Sequence, residues 1–272
     1  PTPPALRAPP PPQGAGAVMA IPQGKPCPGL HASGNTGMGS QMTSCFVGHY
    51  RRNEPLYSGG TDLCSVTDHA TAWDRDYQRR GDLWGGAAAP LPDVPAGAAV
   101  LEIGCGNGKT LSALARRSSL VTAVDISPHA VSLARRRPGI AAAGLAVADA
   151  RCLPFHGEAF DAVFLVHITG HLPGPGRRAV ASEVCRVLRT GGTAFFRGFS
   201  VEDMRAGKGT ETEEQTFRRG DGIITHYFTE DEVRELFAPL IPVSVRTRRW
   251  YMRVRGRDLP RAEVEAVFRK AA

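Results

Sequence analysis

No stretch of this 272-residue sequence approaches the roughly 18–20 consecutive apolar residues that a bilayer-spanning helix requires, so no such helix is expected. Cysteine is sparse and unpatterned. Cys27, Cys45, Cys64, Cys105, Cys152 and Cys185 form no Cys-x-x-Cys pair, and no histidine cluster completes a zinc-ligand spacing. Neither a disulfide scaffold nor a metal site is expected, and a reducing, cytoplasmic setting is. Charge of one sign is also scarce. Lys+Arg number 33 against 26 Asp+Glu, a net +7, which in an Arg-, Ala- and Gly-rich chain is the charge of a solvated surface more than a nucleic-acid footprint. What remains, 42% apolar and 22% charged residues, is the balance of a globular protein.

Residues 1–66 read differently from the rest. Pro1, Pro3, Pro4, Pro9 to Pro12, Pro22, Pro26 and Pro28 crowd a start with almost no charge and little aliphatic mass, and residues 29–66 are Gly/Ser/Thr-rich without a period. Proline blocks helix and ladder alike, and too little can be buried to offset the ordering entropy. A poorly ordered extension is expected there, without the basic start and apolar stretch of a signal peptide. The domain proper is expected over residues 67–272.

Within it, strands and helices alternate. Asp68 is a candidate N-cap for a short helix that places Trp73 and Tyr77 on one face. Ala99–Ile103, Leu120–Asp125, Leu145–Asp149, Ala159–Val166 and Thr193–Gly198 read as strands. Helices are expected between them at Thr110–Arg117, from Ser127-Pro128 to Arg137, and at Arg177–Leu188, stopped by Gly191-Gly192. This order means a parallel sheet covered on both faces. Residues 201–228 form a long polar, Gly-containing loop, and loops of that length are commonly functional. Thr229-Glu-Asp-Glu232 is a capping box, and strands near 243–255 and 261–269, joined by Gly256-Arg-Asp-Leu-Pro, can pair as a hairpin.

The chemistry lies in Val100-Leu-Glu-Ile-Gly-Cys-Gly-Asn-Gly-Lys-Thr, where a strand runs into Gly104-x-Gly106-x-Gly108 and out into a helix. Such glycines let the backbone turn tightly and approach a ligand closely. Asp125 ends the next strand, where a carboxylate can accept both hydroxyls of a ribose. A nicotinamide dinucleotide fingerprint fits poorly: Lys109 stands where a small residue should, and Glu102 has no use in that chemistry. A buried Glu102 demands a positive or hydrogen-bonding partner, such as an amino group.

These segments, with Val124-Asp125-Ile126-Ser127, Ala148-Asp149-Ala150 and Phe160-Asp161-Ala162-Val163, resemble the successive motifs of class I S-adenosylmethionine-dependent methyltransferases over residues 70–199. Arg186-Val-Leu-Arg-Thr-Gly-Gly192 is also similar to the group containing the quinone methylases. The resemblance implies a Rossmann-like, doubly wound α/β fold with a seven-stranded sheet whose last strand is antiparallel. It implies S-adenosylmethionine as cofactor, its methionine part beside Gly104, Cys105 and Gly106 with Gly108 completing the loop, and Glu102 toward its amino group. Asp125 would hold the ribose, Ile126 lie beside the adenine, and Asp149 and Ala150 face the adenine amino group. Val166 and His167 would line the exit of the fourth strand, and Trp73, Tyr77 and Trp84 would close over the site.

Methyl transfer is an in-line displacement, for which alignment alone can contribute roughly 7–11 kcal/mol. His167 is the candidate general base, imidazole titrating near neutrality; His171 matches a histidine common in the group and reads as structural. Arg219-Gly-Asp-Gly, Tyr227-Phe-Thr-Glu-Asp-Glu and Arg255-Gly-Arg-Asp-Leu are similar to the C-terminal part of the tRNA 3-methylcytidine methyltransferases. Along residues 246–255 arginines alternate with aromatics, as single-stranded RNA binding would use, yet Glu263 and Glu265 can pair with them across strands. Lys208, Arg218, Arg219, His226 and Tyr227, with Trp84, are the candidate acceptor-pocket residues. The expected acceptor is a small molecule, with a tRNA base as the alternative and a non-catalytic cofactor-binding scaffold as a third reading. No membrane partner is expected.

Overall fold

The computed structural model describes residues 63–81, 90–118, 120–220 and 222–272, the side chains of residues 63–68 excepted. A seven-stranded sheet runs in the order β3-β2-β1-β4-β5-β10-β9. Its strands are β1 (Ala99–Ile103), β2 (Leu120–Asp125), β3 (Gly144–Val147), β4 (Phe160–Val166), β5 (Leu188–Phe199), β9 (Ile241–Val254) and β10 (Arg257–Arg269). The first five are parallel, and β10 pairs antiparallel with both β5 and β9. Helices α2 (Lys109–Ala115) and α3 (Pro128–Arg135) cover one face, and α4 (Gly174–Val187) and α5 (Glu230–Leu236) the other. Val100, Leu111, Leu114 and Phe164 belong to the first core; Leu101, Val184, Phe196 and Phe237 to the second. Both faces are apolar because adjacent residues of one strand point to opposite cores.

After β3 the chain returns across the sheet to place β4 on the other side of β1. That reversal opens a crevice at the C-terminal ends of β1, β2 and β4, the place where open α/β sheets bind ligands.

Local chemistry explains most boundaries. Ser127 Oγ accepts from Ala130 N at 3.0 Å, and Pro128 opens α3 as expected. Thr229 Oγ1 accepts from Glu232 N at 3.1 Å, but the reciprocal half of the capping box is missing because the Glu232 carboxylate bonds His226 Nε2 at 2.8 Å. Helix α1 (Leu63–Arg80) begins before Asp68, which lies inside it and not at its cap.

Two expectations need correction. Gly191-Gly192 does not stop a helix: α4 ends at Val187 and β5 starts at Leu188. The glycines sit in a bulge where the register shifts from Phe160–Leu188 to Ala162–Thr193. Residues 201–228 are not an irregular loop. They carry a three-stranded antiparallel sheet of β6 (Thr210–Glu213), β7 (Thr216–Arg218) and β8 (Ile224–His226), tied to β5 by a bridge between Ser200 and Phe228. Strands of three and four mostly polar residues have no alternation long enough to read.

Candidate active site

The crevice is a cavity of about 360 Å³. Its floor is the loop after β1, its sides the ends of β2, β4 and β5, and its roof α1 and the small sheet. The turn after β1 is held by two donors on one acceptor: Gly104 N at 2.8 Å and Cys105 N at 3.0 Å both bond Val124 O. Gly104 (φ 75°) and Gly106 (φ 52°) have left-handed backbone, and a Cβ there would strike Ile168 and the Tyr77 hydroxyl.

One end of the cavity is acidic. Glu102 is 2% exposed, and its Oε2 has no hydrogen-bond partner. Burial, aided by the nearby Asp125 charge, pushes its carboxyl well above the usual range. Asp125 Oδ2 accepts from Gly106 N at 2.8 Å and Oδ1 from Ser127 N at 2.9 Å. Burial lifts its carboxyl to about 6 even though backbone N–H groups of Ser127, Gly106 and Ile126 favour the ionised form. Burial likewise raises the Cys105 thiol, which stays protonated.

Asp149 and Ala150 line a small recess that shares Gly104, Asp125 and Ile126 with the cavity, so the structure brings them to the same site. Asp149 is ion-paired with Arg151 at 2.6 Å. Trp73 and Tyr77 line the cavity from α1, with ring centroids 6.0 Å apart and Trp73 edge-on to His171 at 4.7 Å. Helix α1 is seated by Asp74, whose Oδ1 accepts from Ser127 Oγ at 2.7 Å and His129 N at 2.9 Å. Trp84 lies outside the described residues.

The other end holds Val166, His167, Arg219 and Tyr227, all from the sequence reading, together with Arg197, Phe199 and Arg205, which that reading did not assign to a pocket. His167 Nε2 lies 3.2 Å from Glu263 Oε1. Arg219 Nη2 donates to the Tyr227 hydroxyl at 2.9 Å. His171 donates from Nδ1 to Ile224 O at 2.8 Å; burial lowers it to about 4, leaving a neutral, structural ring. His226 lies behind the cavity wall, bonded to Thr216 Oγ1 at 2.7 Å and to Glu232, joining β8 to α5. Lys208 and Arg218 are exposed and do not reach the cavity.

Arg197 was visible as the one charge inside Phe-Phe-Arg-Gly-Phe, an otherwise apolar strand. It bonds Glu265 at 2.8 Å and Pro90 O at 2.6 Å. Arg205 lies over Phe199, 3.8 Å from its centroid, and is held by Asp203 at 2.7 Å. The hairpin arginines are largely paired with acids: Arg249 with Glu202, Arg253 with Asp258, and Arg246 with Glu265.

Known proteins agree with this geometry. Residues 100–192 match a methyltransferase-domain family. A fatty-acid O-methyltransferase of Mycolicibacterium smegmatis is 42% identical over 102 residues, 37% of this chain and 36% of that protein. A tRNA N(3)-methylcytidine methyltransferase of Drosophila melanogaster is 27% identical over 188 residues, covering 63% of this chain and 58% of that one. The chain therefore matches less than two thirds of either relative's length. An S-adenosylmethionine-dependent methyltransferase structure from Methanosarcina mazei superposes with a TM-score of 0.51 at 26% identity, over 68% of this chain and 99% of that one. Sheet order, motif positions and these similarities together assign residues 100–192 to a methyltransferase-domain family and give the chain the fold of an S-adenosylmethionine-dependent methyltransferase.

Proposed function

We propose that residues 67–272 form a methyltransferase domain that moves a methyl group from S-adenosylmethionine to a small-molecule acceptor, with residues 201–228 as its acceptor-side insertion. The observation that carries the reading is the buried Glu102 carboxyl with an unpartnered oxygen, next to Asp125 in the same cavity. Such a pair suits a ligand bearing both an ammonium and vicinal hydroxyls. When bound, the cofactor supplies an electrophilic methyl on a sulfonium. Glu102 would receive its amino group, and the Gly104-Cys105-Gly106 backbone would pass its methionine part with Gly108 closing the turn. Asp125, whose Oδ2 accepts from Gly106 N and Oδ1 from Ser127 N, would keep lone pairs for the ribose hydroxyls. Ile126, Asp149 and Ala150 would border the adenine, and Trp73 and Tyr77 would cover it and exclude water.

At the far end, Val166 and His167 line the cavity where the acceptor would sit, and His167 would take up a proton from it. Arg219 and Tyr227 orient that acceptor from the small sheet. The size of the cavity and the pairing of the hairpin arginines with acids support a small acceptor over an extended RNA surface. A tRNA base is the second reading, favoured by the similarity to the Drosophila protein over 63% of the chain.

Tritiated methyl transfer from S-adenosylmethionine into a small-metabolite extract and, in parallel, into total tRNA separates these. Label is expected in the small-molecule fraction. Label in nuclease-sensitive material would replace this reading with the RNA one, and no label with the cofactor bound would point to a non-catalytic scaffold.

A further inference from the structure

Charge is divided along the cavity. The carboxylates that line it are Glu102 and Asp125, at the end proposed for the cofactor, and Asp76 on α1, which is paired with Arg79 and Arg80. At the other end Arg197, Arg205 and Arg219 line the wall, whereas Asp203, Glu263 and Glu265 do not. The acids of this end lie behind their arginines, and the surface left to a ligand is cationic.

The three arginines differ in what they have left to offer. Arg197 is 3% exposed and committed to Glu265 at 2.8 Å and Pro90 O at 2.6 Å. Arg205 lies over the Phe199 ring, 3.8 Å from its centroid, and turns one edge to Asp203 through Nε at 2.7 Å and Nη2 at 3.4 Å. Its Nη1 has no partner among the described residues, and the side chain is 22% exposed. Arg219 is exposed, and no carboxylate among the described residues lies within ion-pair distance of it. It is nonetheless held in place: Nη2 donates to the Tyr227 hydroxyl at 2.9 Å and to Arg205 O at 3.4 Å. Its backbone sits in a tight turn, Gly222 N donating to Arg219 O at 2.9 Å with Gly222 at φ 81°. Nε and Nη1 of Arg219 remain open.

No nearby acid is free to balance these donors. Asp203 is shared by Arg205 and Arg261, Glu263 lies between His167 and Arg197, and Glu265 serves Arg197, Arg246 and Arg248. Two guanidinium groups are thus fixed beside each other with open N–H groups and too little negative charge. Such planar donors match a carboxylate, which accepts in one plane and forms charge-assisted bonds. Phe199 and Ile223 line the same end and supply hydrocarbon for the body of an organic acid.

We infer that the methyl acceptor carries a carboxylate, and that Arg219, with Nη1 of Arg205, holds it as a handle. The inference rests on the methyltransferase reading and narrows its acceptor class. A neutral amide of the same shape would turn N–H groups toward N–H groups and is selected against.

The test uses the full chain saturated with S-adenosylhomocysteine, titrated with benzoate and with benzamide and read by calorimetry and by the arginine side-chain ¹H–¹⁵N signals. Benzoate should bind saturably and shift the Arg219 Nε signal, identified by its loss in Arg219→Gln. Benzamide should bind roughly tenfold or more weakly, the loss of one charge-assisted pair. Arg219→Gln should weaken benzoate by a similar factor, and Arg219→Lys, which keeps the charge without the fork, by less. Arg218→Gln, at an exposed neighbour that does not reach the cavity, should leave benzoate affinity unchanged. The comparison of probes on the native chain needs no variant to fold. Equal binding of benzamide, no response to benzoate, unchanged affinity in Arg219→Gln, or an equal loss in Arg218→Gln would overturn the inference. Tighter binding of phenyl phosphate or dimethyl phosphate would also overturn it, the first in favour of a phosphate monoester and the second in favour of a nucleic-acid backbone. Calorimetry of S-adenosylhomocysteine on the native chain separates the two levels. Failure to bind sinks the methyltransferase reading itself, whereas normal binding with indifference to benzoate sinks only the carboxylate handle.

Discussion

Asp125 meets two opposing demands. Burial raises its carboxyl from 3.8 to about 6, so the folded protein favours the protonated form more than the unfolded chain does. Its contribution to stability is therefore full below the ordinary carboxylate value and is lost as pH rises through about 6. Its proposed role, accepting two ribose hydroxyls, calls for the ionised form. Cofactor affinity should thus fall about tenfold per pH unit below about 6, while the ligand-free protein gains stability over the same window. Calorimetric titration across that range measures the first effect and thermal unfolding the second; Asp125→Asn should bind weakly and lose the share of the pH dependence that Asp125 supplies, leaving that of Glu102. Affinity of the native protein that stays constant through pH 5 would contradict this account. Glu102 and Asp125 were legible in the sequence because a carboxylate inside or ending an apolar strand has no ordinary structural use. Glu263 was legible only as an arginine partner. Its approach to His167 depends on β10 crossing back beside β5, which no local pattern encodes.

Elements were legible where a physical rule acts over a few residues, as at the Ser127-Pro128 start of α3 and the Thr229 cap of α5. They were misread where tertiary pairing overrides the rule, as at Gly191-Gly192 and in the three short strands of residues 210–226. Helix α1 shows what a single contact does at this scale. Its seat on the crevice is the Asp74 carboxylate on Ser127 and His129 at the N-terminus of α3, a position that favours negative charge. Removing it with Asp74→Ala should cost about 1 kcal/mol and loosen α1 more than the sheet. The expected signature in hydrogen exchange is faster exchange of amides in residues 69–80, with β1 and β4 unchanged. Uniform acceleration across the chain would mean that Asp74 supports the whole fold and not the cover alone.

For the whole molecule, the alternation of strands and helices predicted a parallel sheet covered on both faces, and the resemblance implied the seven strands with an antiparallel last one that the structure has. It also raised an arginine-aromatic hairpin face as an RNA surface. In the structure Arg253 is engaged by Asp258 and Arg249 by Glu202, and Arg248 lies 5.2 Å from the centre of the Trp250 ring. A face so neutralised releases few counterions on binding a polyanion. Arg253→Ala together with Arg255→Ala should therefore leave the salt slope of tRNA retention unchanged in filter binding. A slope that falls by about one per arginine removed would instead make the hairpin an RNA surface.

In the proposed reading, the order of strands also divides the chain by ligand. The proposed cofactor contacts from Glu102 to Ala150 precede β4, whereas Arg197, Phe199, Arg205, Arg219, Tyr227 and Glu263 all follow it. The two halves of the pocket thus have separate genetic addresses that meet along the β1–β4 seam. Exchange of the segment after β4 between relatives can transplant acceptor choice wholesale, leaving the grip on the methyl donor as it was.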